Sequence, residues 1–228
     1  MRIPLTDPPP SDADTGPARL AARELDHQKA AITRLGDELR SLVEATVRTA
    51  ATPDTLHRVA DAVRQVTSQL AGRRRMRAEI PEVDEFPGGV RMYSPVTGAG
   101  SPVAPPVRVT PTADGLMGRC TLGVAHEGPP GYGHGGMSAM LLDELMGRAC
   151  AAQGTPGMTV SLELRYRRPV PLETPLRIVA RVSGTDNRKI SVTGSITTEA
   201  DPVTDLVNAD AVFVVPDPHR ARALFPDL

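Results

Sequence analysis

Hydrophobic positions recur with two different periods along this chain. Between residues 18 and 78 the period is helical. Ile32, Leu35, Leu39, Leu42, Val43 and Val47 make one stripe, and Leu56, Val59, Ala60, Val63, Val66 and Leu70 make a second. Spacings of three and four predict two amphipathic helices. Thr52-Pro53 between them reads as an N-cap followed by Pro at the first helical position. The expectation is an antiparallel helical hairpin over 18–78, with apolar surface left to bury as a lid or an oligomerisation arm. The basic run over 73–77 reads as a solvated helix end that suits the helix dipole.

From residue 114 onward the period falls to two. Strands are expected over Leu116–Val124, Thr159–Arg167, Leu176–Ser183, Lys189–Thr198 and Leu206–Val215, with Asp186-Asn187 as a hairpin turn. Within Thr159–Arg167, strict alternation puts Thr159 on the polar face with Ser161, Glu163 and Arg165, away from the core. One helix, ending near Gln153, interrupts the strands, so the fold class is α+β over residues 114–217.

That helix is unusual. Met137, Met140, Leu141, Leu142, Leu145, Met146, Ala149 and Cys150 cover most of its circumference at 100° per residue. A helix apolar nearly all round is buried on most sides. A curved antiparallel sheet wrapped around it would bury it. Glu144 and Arg148, four apart, can pair on its wetter side. Asp143 has no such neighbour, because three and four positions away stand Ala139, Met140, Met146 and Gly147. A carboxylate placed there is costly to bury as a charge, which marks it as a candidate functional group or a loop cap.

At the helix entrance, Gly133-His134-Gly135-Gly136 leaves the first amides uncovered by side chains. Free N–H groups at a helix N-terminus can hold an oxyanion or polarise a carbonyl. His134 could equally be a loop histidine holding a backbone carbonyl.

The remaining segments carry less. Residues 1–17, rich in Pro, Asp and Ser, read as a disordered tail, and 218–228 as a C-terminal tail. Residues 79–113 hold Pro81, Pro87, Pro95, Pro102, Pro105, Pro106 and Pro111, which forbids a long helix and interrupts any central strand; a connector lying extended over the surface is expected. Aromatics make up only 3% and Trp is absent, which argues against a base-stacking surface, and the net charge of -1 argues against bulk nucleic-acid binding. Cys120 and Cys150 read as reduced, buried thiols rather than a disulfide or metal pair. The N-terminal stretch lacks the apolar run of a signal peptide, and no segment approaches the roughly 20 apolar residues of a membrane span, so the expected location is the cytoplasm. No G-x-S-x-G elbow is present, and His126 and His134 lack partner ligands, so serine-hydrolase and metal-dependent chemistry are both disfavoured.

The segments HEGPPGYGHGGMSAMLLDEL and MTVSLELRYRRPVPL resemble hotdog-fold acyl-CoA thioesterases of the PaaI-like superfamily, nearest its THEM4/THEM5-like branch. The likeness runs over about residues 114 to 215 and leaves the N-terminal helices unexplained. It implies a curved antiparallel sheet around one long helix, and hydrolysis of acyl-CoA to a free acid and CoA without metal or organic cofactor. It implies that Gly135, with Gly136 as the alternative, polarises the thioester carbonyl, and that His134 shapes the loop. Asp143 would be general base or nucleophile, and Thr159 would help position water or Asp143. It also implies a homodimer or homotetramer with active sites between subunits. Arg167, Arg168, Arg188 and Lys189 would be the cations available to the CoA phosphates. The alternative reading is an acyl-CoA-binding or regulatory protein that uses the same pocket without turnover.

Overall fold

The structure, a computed structural model, describes residues 16–217 apart from 73, 77, 78 and 86–88, together with 219 and 222. Most of the expected terminal tails, with Arg73 and Arg77 of the basic run, therefore lie outside the described residues.

Two helices come first, α1 (Gly16–Arg48) and α2 (Pro53–Gln69). Thr52 caps α2, its side chain accepting from the Thr55 N–H, with Pro53 opening the helix. Six strands follow: β1 (Arg108–Thr112), β2 (Gly115–Thr121), β3 (Met158–Tyr166), β4 (Pro175–Asp186), β5 (Lys189–Thr198) and β6 (Val207–Val214). They form one antiparallel sheet in the order β1-β2-β4-β5-β6-β3. The helix between β2 and β3, α3 (Gly135–Ala152), packs against β2, β3, β4, β5 and β6. A sheet wrapped around one central helix is the hotdog arrangement.

The core sits between α3 and the sheet. Leu141, Leu142, Leu145 and Met146 meet Leu176, Ile178, Ile190, Ile196 and Phe213, all at most 2% exposed. No residue of α3 from Met137 to Cys150 is exposed, as its all-round apolar pattern requires. Burial pushes the Cys120 thiol up to about 12 and the Cys150 thiol up to about 11.

Three expectations from the sequence need correction. First, α1 and α2 do not form the expected hairpin. None of the α2 residues is buried, and Leu56, Val59, Val63, Val66 and Leu70 all stand exposed. The reason is that α1 is committed elsewhere. Gly36 lies so close to the chain at 99–100 that a Cβ would stand 2.2 Å from the Ala99 oxygen, so only glycine fits there. Arg40 donates to the Ala99 and Ser101 carbonyls at 2.8 and 2.6 Å, and the Glu44 carboxylate accepts from the Val124 and Ala125 amides at 3.3 Å. Arg48 on the same helix bonds Glu44 and Glu173, and its guanidinium holds the Glu44 carboxyl below the usual range.

Second, the proline-rich connector is part of the domain. Val83, Met92, Val96, Ala104 and Val107 are buried, and Val96 and Val107 belong to the main core. It also contains β1, which includes Pro111. The strand survives because it is the sheet edge, where a missing N–H costs no ladder bond. Third, the described part of the basic run, Arg74 to Met76, lies beyond the end of α2 at Gln69 and outside any helix.

Candidate active site

The entrance of α3 is built by its own cap. His134 has extended backbone angles and its Nδ1 accepts the Gly136 N–H at 2.9 Å. That bond engages the Gly136 amide. The Gly135 amide, at the first helical position, has no intrahelical acceptor by the geometry of the helix. Tyr166 on β3 donates its hydroxyl to the Gly135 carbonyl at 3.0 Å. A Cβ at Gly135 would come within 3.3 Å of that hydroxyl, so the tight approach of Tyr166 suits a glycine there.

Farther along α3, Asp143 is half-buried, and its Oδ1 accepts from the Thr159 hydroxyl at 2.7 Å. The two face a hollow of about 450 Å³, shared with Arg91, Gly147, Met158 and Phe213. Thr159 reaches Asp143 against the alternation pattern. The β3–β6 register shifts between Thr159 and Ser161, so that Thr159 pairs with Phe213 and Ser161 with Val212. Val160 is the extra residue of a β-bulge and is 60% exposed. The bulge reverses the parity of the strand. Thr159 therefore shares the α3-facing side with Leu162, Leu164 and Tyr166, not the polar side with Glu163 and Arg165.

Glu144 and Arg148 pair as expected, at 2.9 Å, but not on a wet face. The connector lies over them. The Thr97 hydroxyl donates to Glu144 at 3.2 Å and accepts from Arg148 at 2.9 Å, and the two charged side chains are 26% and 18% exposed. Their charges are thus neutralised locally, which leaves Asp143 as the carboxylate of this face bonded to a neutral hydroxyl.

The structure does not gather the four candidate cations in one place. Arg167 and Arg168 follow the end of β3 that pairs with Val207; Lys189 pairs with Val214 at the other end of β6. Seven residues of strand separate these ends, roughly 23 Å at 3.3 Å per residue. Arg167 donates to Asn208, Arg168 to the Asp205 carbonyl, and Arg188 pairs with Asp217 at 3.3 Å. Likewise Gly135 and Asp143 are eight residues apart, about 12 Å along the helix axis. Among the described residues, no group of three or more His, Cys, Asp or Glu is placed to hold a metal ion, and no helix is long and apolar enough to cross a membrane.

Tyr166 was not singled out by sequence reasoning as a site residue. Its signal was its place in the same alternation as Leu162 and Leu164, which sends it to the α3 side at the helix entrance.

The comparisons with known proteins agree with the fold. The thioesterase superfamily model matches residues 130–204, which contain His134, Gly135, Asp143 and Thr159. Mouse acyl-coenzyme A thioesterase THEM4 is 30% identical over 98 residues, 43% of this chain and 42% of that protein. Human acyl-coenzyme A thioesterase THEM5 is 26% identical over 88 residues, 39% of this chain and 35% of that one. The matched stretch thus spans less than half the length of these curated relatives. A solved structure described as a thioesterase superfamily protein extends the likeness: it is 36% identical, with a TM-score of 0.70, over 80% of this chain and 90% of its own. Since that similarity takes in the N-terminal region as well as the sheet and its central helix, the chain belongs to the thioesterase superfamily.

Proposed function

We propose that this protein hydrolyses acyl-CoA thioesters to a free carboxylic acid and CoA. The observation that carries the reading is the Asp143–Thr159 pair: a half-buried carboxylate, held by a hydroxyl at 2.7 Å, beside an open hollow. A thioester names the substrate because the two curated relatives above are acyl-coenzyme A thioesterases.

The chemistry follows from the groups available. With Oδ1 held by Thr159, Asp143 Oδ2 accepts a proton from water, and the water oxygen attacks the thioester carbonyl carbon. The Gly135 N–H receives the developing oxyanion. Collapse of the tetrahedral intermediate breaks the C–S bond, and the proton on Asp143 passes to the departing CoA thiolate. Gly135 is favoured over Gly136 for the oxyanion because the Gly136 amide is engaged by His134. His134 acts by holding that cap.

The separation of about 12 Å between Gly135 and Asp143 is too great for one carbonyl to meet both. It favours a site shared by two copies, Asp143 and Thr159 from one and the α3 entrance from the other. The free edge of β3, with Met158 and Val160 exposed, is the surface we assign to that pairing. An antiparallel meeting of two β3 edges would also bring one copy's Arg188–Lys189 end towards the other copy's Arg167–Arg168 end. The four cations could then serve one CoA.

Thiol release from acyl-CoAs of graded chain length tests the reading. The wild type should turn over, and Asp143→Asn should lose about 10²–10⁴-fold in kcat. Binding of acyl-CoA without thiol release by either protein would instead make this a binding or regulatory protein.

A further inference from the structure

A second and larger hollow lies on the other end of α3. It holds about 710 Å³, within the range of small-molecule sites, and shares no lining residue with the hollow beside Asp143. Its walls come from α1, the 95–106 segment and the first turns of α3. We propose that this groove receives the aliphatic chain of the acyl group, with α1 as the wall that sets the chain length accepted. The proposal rests on the thioesterase reading.

Three observations carry it. The lining is dominated by Val43, Val103, Ala104, Leu122, Met137 and Met140. Methionine is unbranched and adaptable, so two of them along one wall suit a flexible alkyl chain better than a rigid ring. The charged groups at the rim are already spent. Arg40 serves the Ala99 and Ser101 carbonyls, Glu44 the Val124 and Ala125 amides, and Glu173 pairs with Arg48. Arg40 also pairs with Asp37, and Glu44 and Glu173 share the Arg48 guanidinium, so no free cation is left there to recognise a phosphate or a second carboxylate. His126, whose Nε2 lies 3.4 Å from the Val103 carbonyl, adds a buried Nδ1 without a partner to an otherwise apolar wall, so the ligand part that fits is a largely apolar chain. The position also matches. Met137 and Met140 stand two and five residues after Gly135, so the groove runs beside the first turns of the helix whose entrance carries the amide assigned to the thioester carbonyl.

The geometry further gives α1 a fixed place. Its Glu44, Arg48 and Arg40 bonds clamp it to the domain, so the wall does not recede freely as longer chains enter.

The test is binding of S-ethyl-, S-octyl- and S-dodecyl-CoA, thioethers that cannot be hydrolysed, to the full-length protein by titration calorimetry. Wild type is compared with Val43→Trp and Val103→Trp. These positions are 37% and 60% exposed, so a larger side chain can enter without rebuilding the core. The readout is the slope of affinity against chain length, which partial unfolding or weaker CoA binding would lower overall without flattening. Wild-type affinity should rise up to about fourfold per buried methylene. In each variant the slope should flatten, with at least a tenfold loss for the dodecyl ligand relative to the ethyl one. A wild type with no chain-length dependence, or variants with the wild-type slope, overturns the proposal. Thiol release by the wild type in that case leaves the thioesterase reading standing. No binding of any thioether and no thiol release overturns both.

Discussion

Helices α2 and α3 are nearly equal in length, 17 and 18 residues, and both carry many apolar side chains. Their fates differ completely. Seven residues of α3 are buried and none of α2. The difference lies in how the apolar residues are distributed. On α3 they run round the circumference, so water is excluded only if a sheet curls over the helix. On α2 they keep to one stripe, and the other side is content in solvent. Higher apolar content spread round the whole circumference distinguished the helix that organises the core from the one that projects from it.

The largest test of this contrast is Leu142→Ala. Leu142 is fully buried under the sheet, so chemical denaturation should show a loss of about 2–5 kcal/mol. A loss under 1 kcal/mol would mean that α3 is not the centre of the core. A second test sharpens the contrast through thiol reactivity. Burial raises the Cys150 thiol to about 11, so at pH 8 almost none of it is thiolate. A cysteine introduced by Val63→Cys on exposed α2 should be alkylated at least about 100-fold faster. Equal rates would show that α2 is covered or that α3 opens. The smallest effect is expected for Val63→Ala. Since Val63 is 39% exposed, it should change stability by no more than about 0.5 kcal/mol. A loss near that of a core residue would mean that a partner covers the α2 stripe in solution.

The candidate site was legible in unequal parts. His134, Gly135, Gly136 and Asp143 stood out because a helix imposes a regular period, and the glycine-rich entrance and the unpaired carboxylate both break its pattern. That His134 itself caps the Gly136 amide, which the sequence had left uncovered, came from the structure. Thr159 was named through family resemblance, while its alternation argued for the wrong face. The bulge at Val160 that turns it towards Asp143 has no local signature, since Val is as good in a regular strand as in a bulge. The proline-rich connector misled for a related reason. Proline density reports what backbone is forbidden, not what side chains are buried, and Val96 and Val107 are carried into the core between prolines. Arg167–Arg168 and Arg188–Lys189 were found as charges, but their separation depends on strand order.

By itself, then, the sequence determined the helices and most of the strands, the burial of α3, the glycine-rich entrance to it and the carboxylate upon it. Each of these is written in residues a few positions apart, where period and capping act. The tertiary structure alone decided the parity of β3, the partner of Asp143, the clamping of α1 to the domain and the isolation of α2. Those depend on contacts between residues distant in the chain, as when pairing with Phe213 sets which way Thr159 points. One inserted residue reverses a strand's faces, and only the register of its neighbour says where that residue falls.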